Sequence, residues 1–196
     1  MKNKIKVTKL TEKFLRILIG KELPTYMNGH AGRALEDLLE TYGFDIDRRA
    51  GVDIKIFGLE VKTRSLIATS PQTVTTMYYN DIISTPYKLS PVYAKFQQQL
   101  RIKLDEHNII VSAEIYDFDQ PQIQEQVEIA YERCRKVLLE NPHLSYTPYQ
   151  TGQYGYFEQV HLPRSEAYSF RFSDGMMTDL ENMAKTEFKN LFEYAE

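Results

Sequence analysis

The 196-residue sequence predicts a mixed α/β fold in which the sheet is at least partly antiparallel. Two observations support this class. Helical and strand-like segments alternate irregularly along the chain, and two strand-like segments, 51–57 and 59–63, follow each other around Gly58. The composition, 42% hydrophobic and 26% charged, is that of a globular protein with a sizeable core.

Two helices are predicted in the first part of the chain. Residues 9–20 form a short amphipathic segment, and the apolar residues of 31–42 recur at helical spacing. Gly43 predicts the end of the second helix, because glycine readily adopts the left-handed conformation that closes many helices. The segment 24–30 between them is predicted to be a loop.

The rest of the chain alternates extended and helical segments. A threonine-rich extended segment at 69–79 precedes a helix from Ser90 to about Leu104, where Ser90-Pro91 provides a capping hydroxyl and a proline at the first helical position. The remaining predicted elements are a strand at 108–116, a helix at 121–139, a loop at 145–156, strands at 156–160 and 168–172, and a closing helix from about Met176 to Tyr194.

Composition also restricts the class of protein. The single cysteine, Cys134, excludes an internal disulfide and a cysteine zinc cluster, so we expect a reduced, cytoplasmic compartment. The apolar run 14–19 is too short to cross a bilayer, and we expect no membrane partner. The net charge is -3, but residues 1–21 hold seven Lys or Arg against one Glu. This basic segment could lie near phosphate groups of a nucleic acid, or it could be a solvated helix face.

The segment 51–63, GVDIKIFGLEVKT, combines strand alternation with regularly placed charges. If the chain reverses at Phe57-Gly58, its apolar residues share one face of a hairpin. These residues are Val52, Ile54, Ile56, Leu59 and Val61. Asp53, Glu60 and Lys62 then gather on the other face. A one-residue slip would bury the charges, so the pattern itself selects the register.

Carboxylates directed at one point are ligands for a hard divalent cation such as Mg²⁺. Glu36, on the preceding helix, would add a third carboxylate to Asp53 and Glu60. A lysine beside such a metal, here Lys62, orients or helps to deprotonate an attacking water. The set favours phosphodiester hydrolysis. The alternative is an ordinary half-exposed hairpin with a charged outer face, since Glu-x-Lys occurs about once by chance in such a composition.

Asp53, Glu60 and Lys62 resemble the Asp-(x)n-(Asp/Glu)-x-Lys signature of the restriction-endonuclease-like nucleases, the PD-(D/E)xK superfamily. The likeness is greatest to mismatch-repair nicking endonucleases of the MutH type and to type II restriction enzymes. These share a glycine-led helix with a glutamate four residues later, as in Gly32 to Glu36, and a Gly-x-Glu-Leu-Lys-Thr strand. Here that strand is GLEVKT, with valine in place of leucine, and the resemblance covers about residues 28–80.

The resemblance implies a restriction-endonuclease-like core, with a central mixed β-sheet flanked by helices and the active site in a DNA cleft. It implies one endonuclease domain, 1–196, or two lobes, with a catalytic lobe at about 1–88 and a DNA-contacting lobe at about 89–196. The expected activity is Mg²⁺-dependent DNA cleavage, with Mn²⁺ able to substitute, of the sequence-specific type II restriction or nicking kind.

The resemblance also assigns roles to individual residues. Glu36, Asp53, Glu60 and the main-chain carbonyl of Val61 would hold the metal, and Lys62 would position the water. Double-stranded DNA is the implied partner. Candidate residues for DNA contact are Arg64 after the active strand, Lys95 or Lys103 as a further active-site lysine, and Tyr154, Arg164 and Arg171 in the C-terminal third.

Three functional hypotheses remain open at the level of sequence: the sequence-specific endonuclease and two alternatives to it. The nuclease chemistry could serve structure-specific repair or recombination, and a double-strand cutter would be expected to form a homodimer. A non-catalytic DNA- or protein-interaction module is the alternative from another class, and the overall acidic charge favours it. The predicted closing helix is acidic, which indicates solvent or a protein partner on that helix.

Overall fold

The structure of the chain is a computed structural model that describes residues 12–24, 31–48, 53–55, 58–68, 72–142, 144–145, 147, 155–160 and 166–184. The helices are α1 (Glu12–Leu18), α2 (Ala31–Thr41), α3 (Tyr79–Ser84), α4 (Pro91–Lys95), α5 (Pro121–Glu140) and α6 (Asp174–Ala184). The strands are β1 (Leu59–Ser65), β2 (Thr73–Tyr78), β3 (Gln98–Leu104), β4 (Ile110–Asp117), β5 (Gly155–Gln159) and β6 (Ala167–Phe172). The predicted mixed α/β class is confirmed.

The described strands form two sheets, whereas the sequence predicted one central sheet. One sheet has the order β1-β3-β4 and the other β2-β6-β5. β1 and β3 are parallel, while β3 and β4 are joined by a connection too short for anything but an antiparallel pair. β2 and β5 both pair antiparallel with β6. A single central sheet is thus not confirmed among the described strands, because partners distant in sequence decide the pairing and are not visible in local patterns.

The chain divides into two compact units. The first contains the described residues up to 68 together with Gln98–Tyr116, and its sheet is β1-β3-β4. The second contains the described residues of 72–97 and 117–184, and its sheet is β2-β6-β5. The catalytic and DNA-contacting roles expected for two lobes stay predictions.

Helix α2 ends as the sequence predicted. Gly43 has a φ of +95°, and its N–H donates to the carbonyl of Glu40 at 3.0 Å. The N–H of Phe44 donates to the carbonyl of Leu39 at 3.2 Å. These two bonds form the Schellman closure that glycine favours. Leu35 and Leu39 are fully buried on the inner side of the helix, beside Phe44 in the core of the first unit.

The predicted hairpin reverses at Gly58, which has a φ of +61°. Ile54 and Leu59 exchange two backbone hydrogen bonds, at 2.9 and 3.1 Å, in an antiparallel bridge. Ile54, Leu59 and Val61 are buried in the core of the first unit. The predicted common face of Ile54, Leu59 and Val61 is therefore confirmed, but residues 53–55 form only the single bridge at Ile54 and not a regular strand. Residues 51–52 and 56–57 lie outside the described residues.

The predicted helix from Ser90 to about Leu104 is wrong beyond Lys95. Its start is confirmed, because the Ser90 hydroxyl accepts a hydrogen bond from the N–H of Tyr93 at 3.2 Å. Helix α4 then ends at Lys95 and the chain enters β3. Apolar residues at 96, 100 and 104 fit a helix, but those at 100, 102 and 104 fit a strand equally well. Parallel pairing with β1 decides in favour of the strand.

The remaining predicted elements agree with the structure where it describes them. Strands β4, β5 and β6 and helix α5 occupy the predicted segments, and α6 is described only as far as Ala184. Residues 9–11, most of the loop 24–30 and most of the loop 145–156 lie outside the described residues. No helix in the described part of the chain is long and apolar enough to cross a membrane.

Candidate functional site

The hairpin and β1 bring together three of the four residues that the sequence singled out as catalytic. The Lys62 ammonium lies 2.7 Å from Oε1 of Glu60, and the Glu60 side chain is only 2% exposed. One Asp53 carboxylate oxygen accepts a hydrogen bond from the N–H of Val61 at 2.8 Å. Asp53 is thus bound to the backbone between Glu60 and Lys62. The tight turn at Gly58 makes this contact possible, since it returns β1 alongside Asp53.

Pairing of β1 with β3 extends this group into a polar sheet face. Side chains alternate along a strand, so residues paired in register share a face. In the parallel register Glu60 lies beside Gln99, Lys62 beside Arg101, and Arg64 beside Lys103. These six residues are the polar sheet face, which carries four cations and one carboxylate. The opposite face bears Leu59, Val61, Leu100 and Ile102 and packs into the apolar core.

Gln99 and Arg101 were not recognised from the sequence. Gln99 is 1% exposed and Arg101 is 7% exposed. The Arg101 guanidinium donates to Oε1 of Gln99 at 2.9 Å and lies 5.6 Å from the ring centre of Tyr116 on β4. Tyr116 in turn donates to Glu114 at 2.6 Å. The sequence signal for these two residues is that an amide and a guanidinium alternate with Leu100 and Ile102, as on one face of a strand. The signal is hidden because the same segment also fits helical spacing.

Glu36 has a different environment from the other predicted ligands. Arg48 binds three carboxylates of α2, with its guanidinium 3.0 Å from Glu36 and 3.0 Å from Glu40, and with Asp37 as the third partner. The hydrogen bond with Glu40 is the largest cause that raises the pKa of Arg48 above its usual value. The structure therefore places the Glu36 carboxylate in an ion cluster along α2.

The predicted DNA-contacting residues are distributed over both units. Arg64 and Lys103 lie on the polar sheet face of the first unit. In the second unit Lys95 ends α4, and Arg171 on β6 lies 3.2 Å from Glu158 on β5. Tyr154 and Arg164 lie outside the described residues.

The hairpin carries carboxylate oxygens, which are the type of ligand that a magnesium ion binds. Mg²⁺ takes oxygen ligands, retains several waters, and is commonly held by one or two carboxylates plus substrate phosphate oxygens. Asp53 and Glu60 provide two carboxylates, and the contact of Asp53 with the Val61 N–H holds them on one short hairpin. Within the described ranges no group of three His, Cys, Asp or Glu is arranged to hold a metal ion. The fit therefore rests on two carboxylates rather than on three.

Comparison with known proteins adds no assignment. No protein-family model matches the chain, and no curated protein matches its sequence.

Proposed function

We propose that the chain is a Mg²⁺-dependent DNA endonuclease that hydrolyses phosphodiester bonds. The observation that carries this proposal is the Lys62 ammonium 2.7 Å from the Glu60 carboxylate, with the Asp53 carboxylate bound to the intervening Val61 N–H. Two carboxylates and a lysine on one hairpin support the proposal, because they can supply metal ligands and a cation beside the attacking water in metal-assisted phosphodiester hydrolysis. In the proposal, α2, the hairpin and the parallel pair β1 and β3 form a restriction-endonuclease-like core.

Asp53 and Glu60, with the Val61 carbonyl, would hold the metal. A magnesium ion bound there supplies Lewis-acid polarisation of the phosphate and activation of a water. Lys62 orients that water and offsets negative charge that develops on the phosphate. Because Glu60 holds the ammonium at 2.7 Å, Lys62 is positioned before the substrate binds.

The excess of positive charge on the polar sheet face suits a phosphate backbone. Arg64, Arg101 and Lys103 accompany Lys62, against two carboxylates, Glu60 on the face and Asp53 beside it. Cations of this kind provide the sequence-independent part of DNA affinity, which weakens as salt increases. Arg64 and Lys103, which are less buried than Arg101, are the proposed phosphate contacts.

Supercoiled plasmid tests the proposal directly. The purified protein is incubated with plasmid and Mg²⁺, beside an EDTA control, with methylated and unmethylated DNA. We expect discrete fragments or a nicked circle in Mg²⁺ or Mn²⁺ and intact plasmid in EDTA. Discrete fragments would favour a sequence-specific enzyme that acts as a homodimer. Cleavage of branched or flapped duplexes alone would favour a repair or recombination role.

A non-catalytic nucleic-acid-binding module is the second candidate function. The near-complete burial of Glu60 favours it, because a buried carboxylate with a lysine partner also occurs as a purely structural pair. The position of Glu36 beside Arg48 also favours a non-catalytic module, because Glu36 is bound in an ion cluster there. This module would bind duplex DNA in a salt-dependent manner and leave every plasmid and branched substrate intact in Mg²⁺ and in Mn²⁺.

Replacing Asp53 with asparagine is expected to weaken Mn²⁺ binding while preserving the fold. Asparagine retains a side-chain oxygen that can accept the hydrogen bond from Val61, but it loses the charge. Loss of an outer-shell partner already lowers metal affinity by about 10–100-fold, so loss of a direct ligand should lower it at least as much. Calorimetric titration measures the change. Asp179→Asn, on the exposed side of α6, is the matched control, and identical isotherms for all three proteins would remove Asp53 from the metal site.

A further inference from the structure

The second unit contains an open cavity that the nuclease proposal does not use. Its volume is about 450 Å³, and the described residues that line it are Tyr79, Asn80, Pro142, Gln159, Glu166 and Tyr168. Cavities that hold small ligands measure about 300–1,000 Å³. The cavity therefore has room for a single ring-bearing group, but not for a folded peptide segment.

Two tyrosines give the cavity a fixed aromatic wall. The rings of Tyr79 and Tyr168 lie 6.4 Å apart with an angle of 47° between their planes. The Tyr79 hydroxyl donates to the carbonyl of Leu138 at 3.3 Å, and the Tyr168 hydroxyl donates to that of Leu144 at 2.8 Å. The N–H of Tyr79 also donates to the carbonyl of Glu166 at 2.9 Å. The wall is thus held in place without a ligand, which lowers the entropy lost on binding.

The polar groups of the lining define the chemistry of the ligand. Asn80 and Gln159 contribute amides, and Glu166 contributes an exposed carboxylate. None of the six described lining residues is a lysine or an arginine. Amides match the donor and acceptor edges of adenine, and a carboxylate accepts hydrogen bonds from an exocyclic amine such as that of cytosine. The half-buried ring of Tyr79 provides a surface on which a base stacks, whereas Tyr168, which is 3% exposed, supports that ring from behind.

We propose that this cavity binds one unpaired nucleobase whose pairing edge places an exocyclic amine beside a ring-nitrogen acceptor, as adenine and cytosine do and guanine does not. A base inside a duplex has its pairing edge occupied, so the base must come from a bulge, a mismatch or a single strand, or from a free nucleoside. A nucleic-acid strand as the source rests on the proposed function. In that case the second unit gives the endonuclease a preference for DNA with an extrahelical base.

The test measures binding in EDTA, where cleavage does not interfere. Its ligands are fully paired short duplexes, duplexes with a single bulged adenine, cytosine or thymine, and free deoxyadenosine and deoxycytidine. We expect the duplexes with bulged adenine or cytosine to bind about 10-fold more tightly than the paired duplex, as stacking on an aromatic side chain would give. We expect bulged thymine to gain less, because it has no exocyclic amine to donate to Glu166.

Matched variants assign the preference to the cavity. Tyr79→Ala should abolish the gain for bulged duplexes, whereas Tyr78→Ala should leave it unchanged, because Tyr78 is 65% exposed and does not line the cavity. Glu166→Gln should reduce the preference for adenine and cytosine over thymine. Glu125→Gln, on an exposed position of α5, should retain that preference. Glu166 is itself exposed, so its substitution does not endanger the fold.

The outcomes separate this inference from the nuclease proposal. Equal affinity for bulged and paired duplexes, without binding of either nucleoside, would overturn the inference even if plasmid is cleaved. Saturable binding of deoxyadenosine or deoxycytidine that Tyr79→Ala abolishes would support the cavity even if no DNA is cleaved. Binding of choline in place of the nucleosides would overturn it and indicate an aromatic cage for a quaternary ammonium.

Discussion

Replacing Lys62 with alanine is expected to abolish plasmid cleavage and to lower the stability of the protein. The ammonium is the only cation that the proposal places at the attacking water. Its side chain is 18% exposed and lies 2.7 Å from the almost fully buried Glu60 carboxylate. Removing one partner of a buried ion pair costs about 3–5 kcal/mol. The sequence placed Lys62 on a polar face without showing that this face is buried.

Two controls separate the chemical effect from the structural one. Cleavage is assayed at a temperature at which thermal unfolding, followed by circular dichroism, shows that Lys62→Ala is folded. Lys136→Ala, at a side chain that is 75% exposed on α5, should change neither cleavage nor stability. Cleavage by the folded Lys62→Ala protein at the wild-type rate would remove this residue from the mechanism.

Replacing Gly155 with alanine is expected to destabilise the protein by about 3 kcal/mol, at the upper end of the range for overpacked cores. A Cβ at this position would lie 2.5 Å from Cζ of Phe170 and 3.2 Å from Cε1 of Phe172. The Phe170 ring has little room to move, because it is fully buried against Phe157 and Tyr131. The backbone of β5 must therefore shift. Urea denaturation measures the free energy of unfolding.

Gly32→Ala is the matched control for this substitution. Its added Cβ would lie 4.0 Å from the Thr63 hydroxyl, an ordinary van der Waals contact. Gly32 lies in the first turn of α2, where alanine is a better helix former by up to about 1 kcal/mol. The same chemical change should thus stabilise at one glycine and destabilise at the other. An unchanged unfolding midpoint for Gly155→Ala would contradict the packing described for β5.

Local chemistry predicted the parts of the fold that depend on neighbours in sequence. The closure of α2 at Gly43, the cap at Ser90 and the turn at Gly58 each follow from one residue and its few neighbours. The common face of Ile54, Leu59 and Val61 followed from the alternation of apolar and charged residues, which places Asp53 and Glu60 together on the other face. These same local rules placed Asp53, Glu60 and Lys62 together on the hairpin, but they added Glu36, which lies in the ion cluster with Arg48.

Long-range pairing was not predictable in the same way. The neighbours Gln99 and Arg101 reach Glu60 and Lys62 only because β3 pairs in parallel with β1. Nothing in the local pattern of either strand specifies that partner. The contact between Arg48 and Glu36 likewise joins residues that no periodicity relates. The candidate site was therefore predicted along one strand but not across the sheet.

The parallel pair of β1 and β3 also bears on how the protein is made. β1 belongs to a segment of the first unit that is synthesised before β3, and residues of the second unit lie between them. At about 5–20 residues per second, β1 waits about 2–8 s for its partner during translation. During that time its edge is open to other chains. The ribosome-bound chain therefore has a stage at which the Glu60 strand lacks the β3 partner that later covers one of its edges, and an unpaired edge is a template for aggregation.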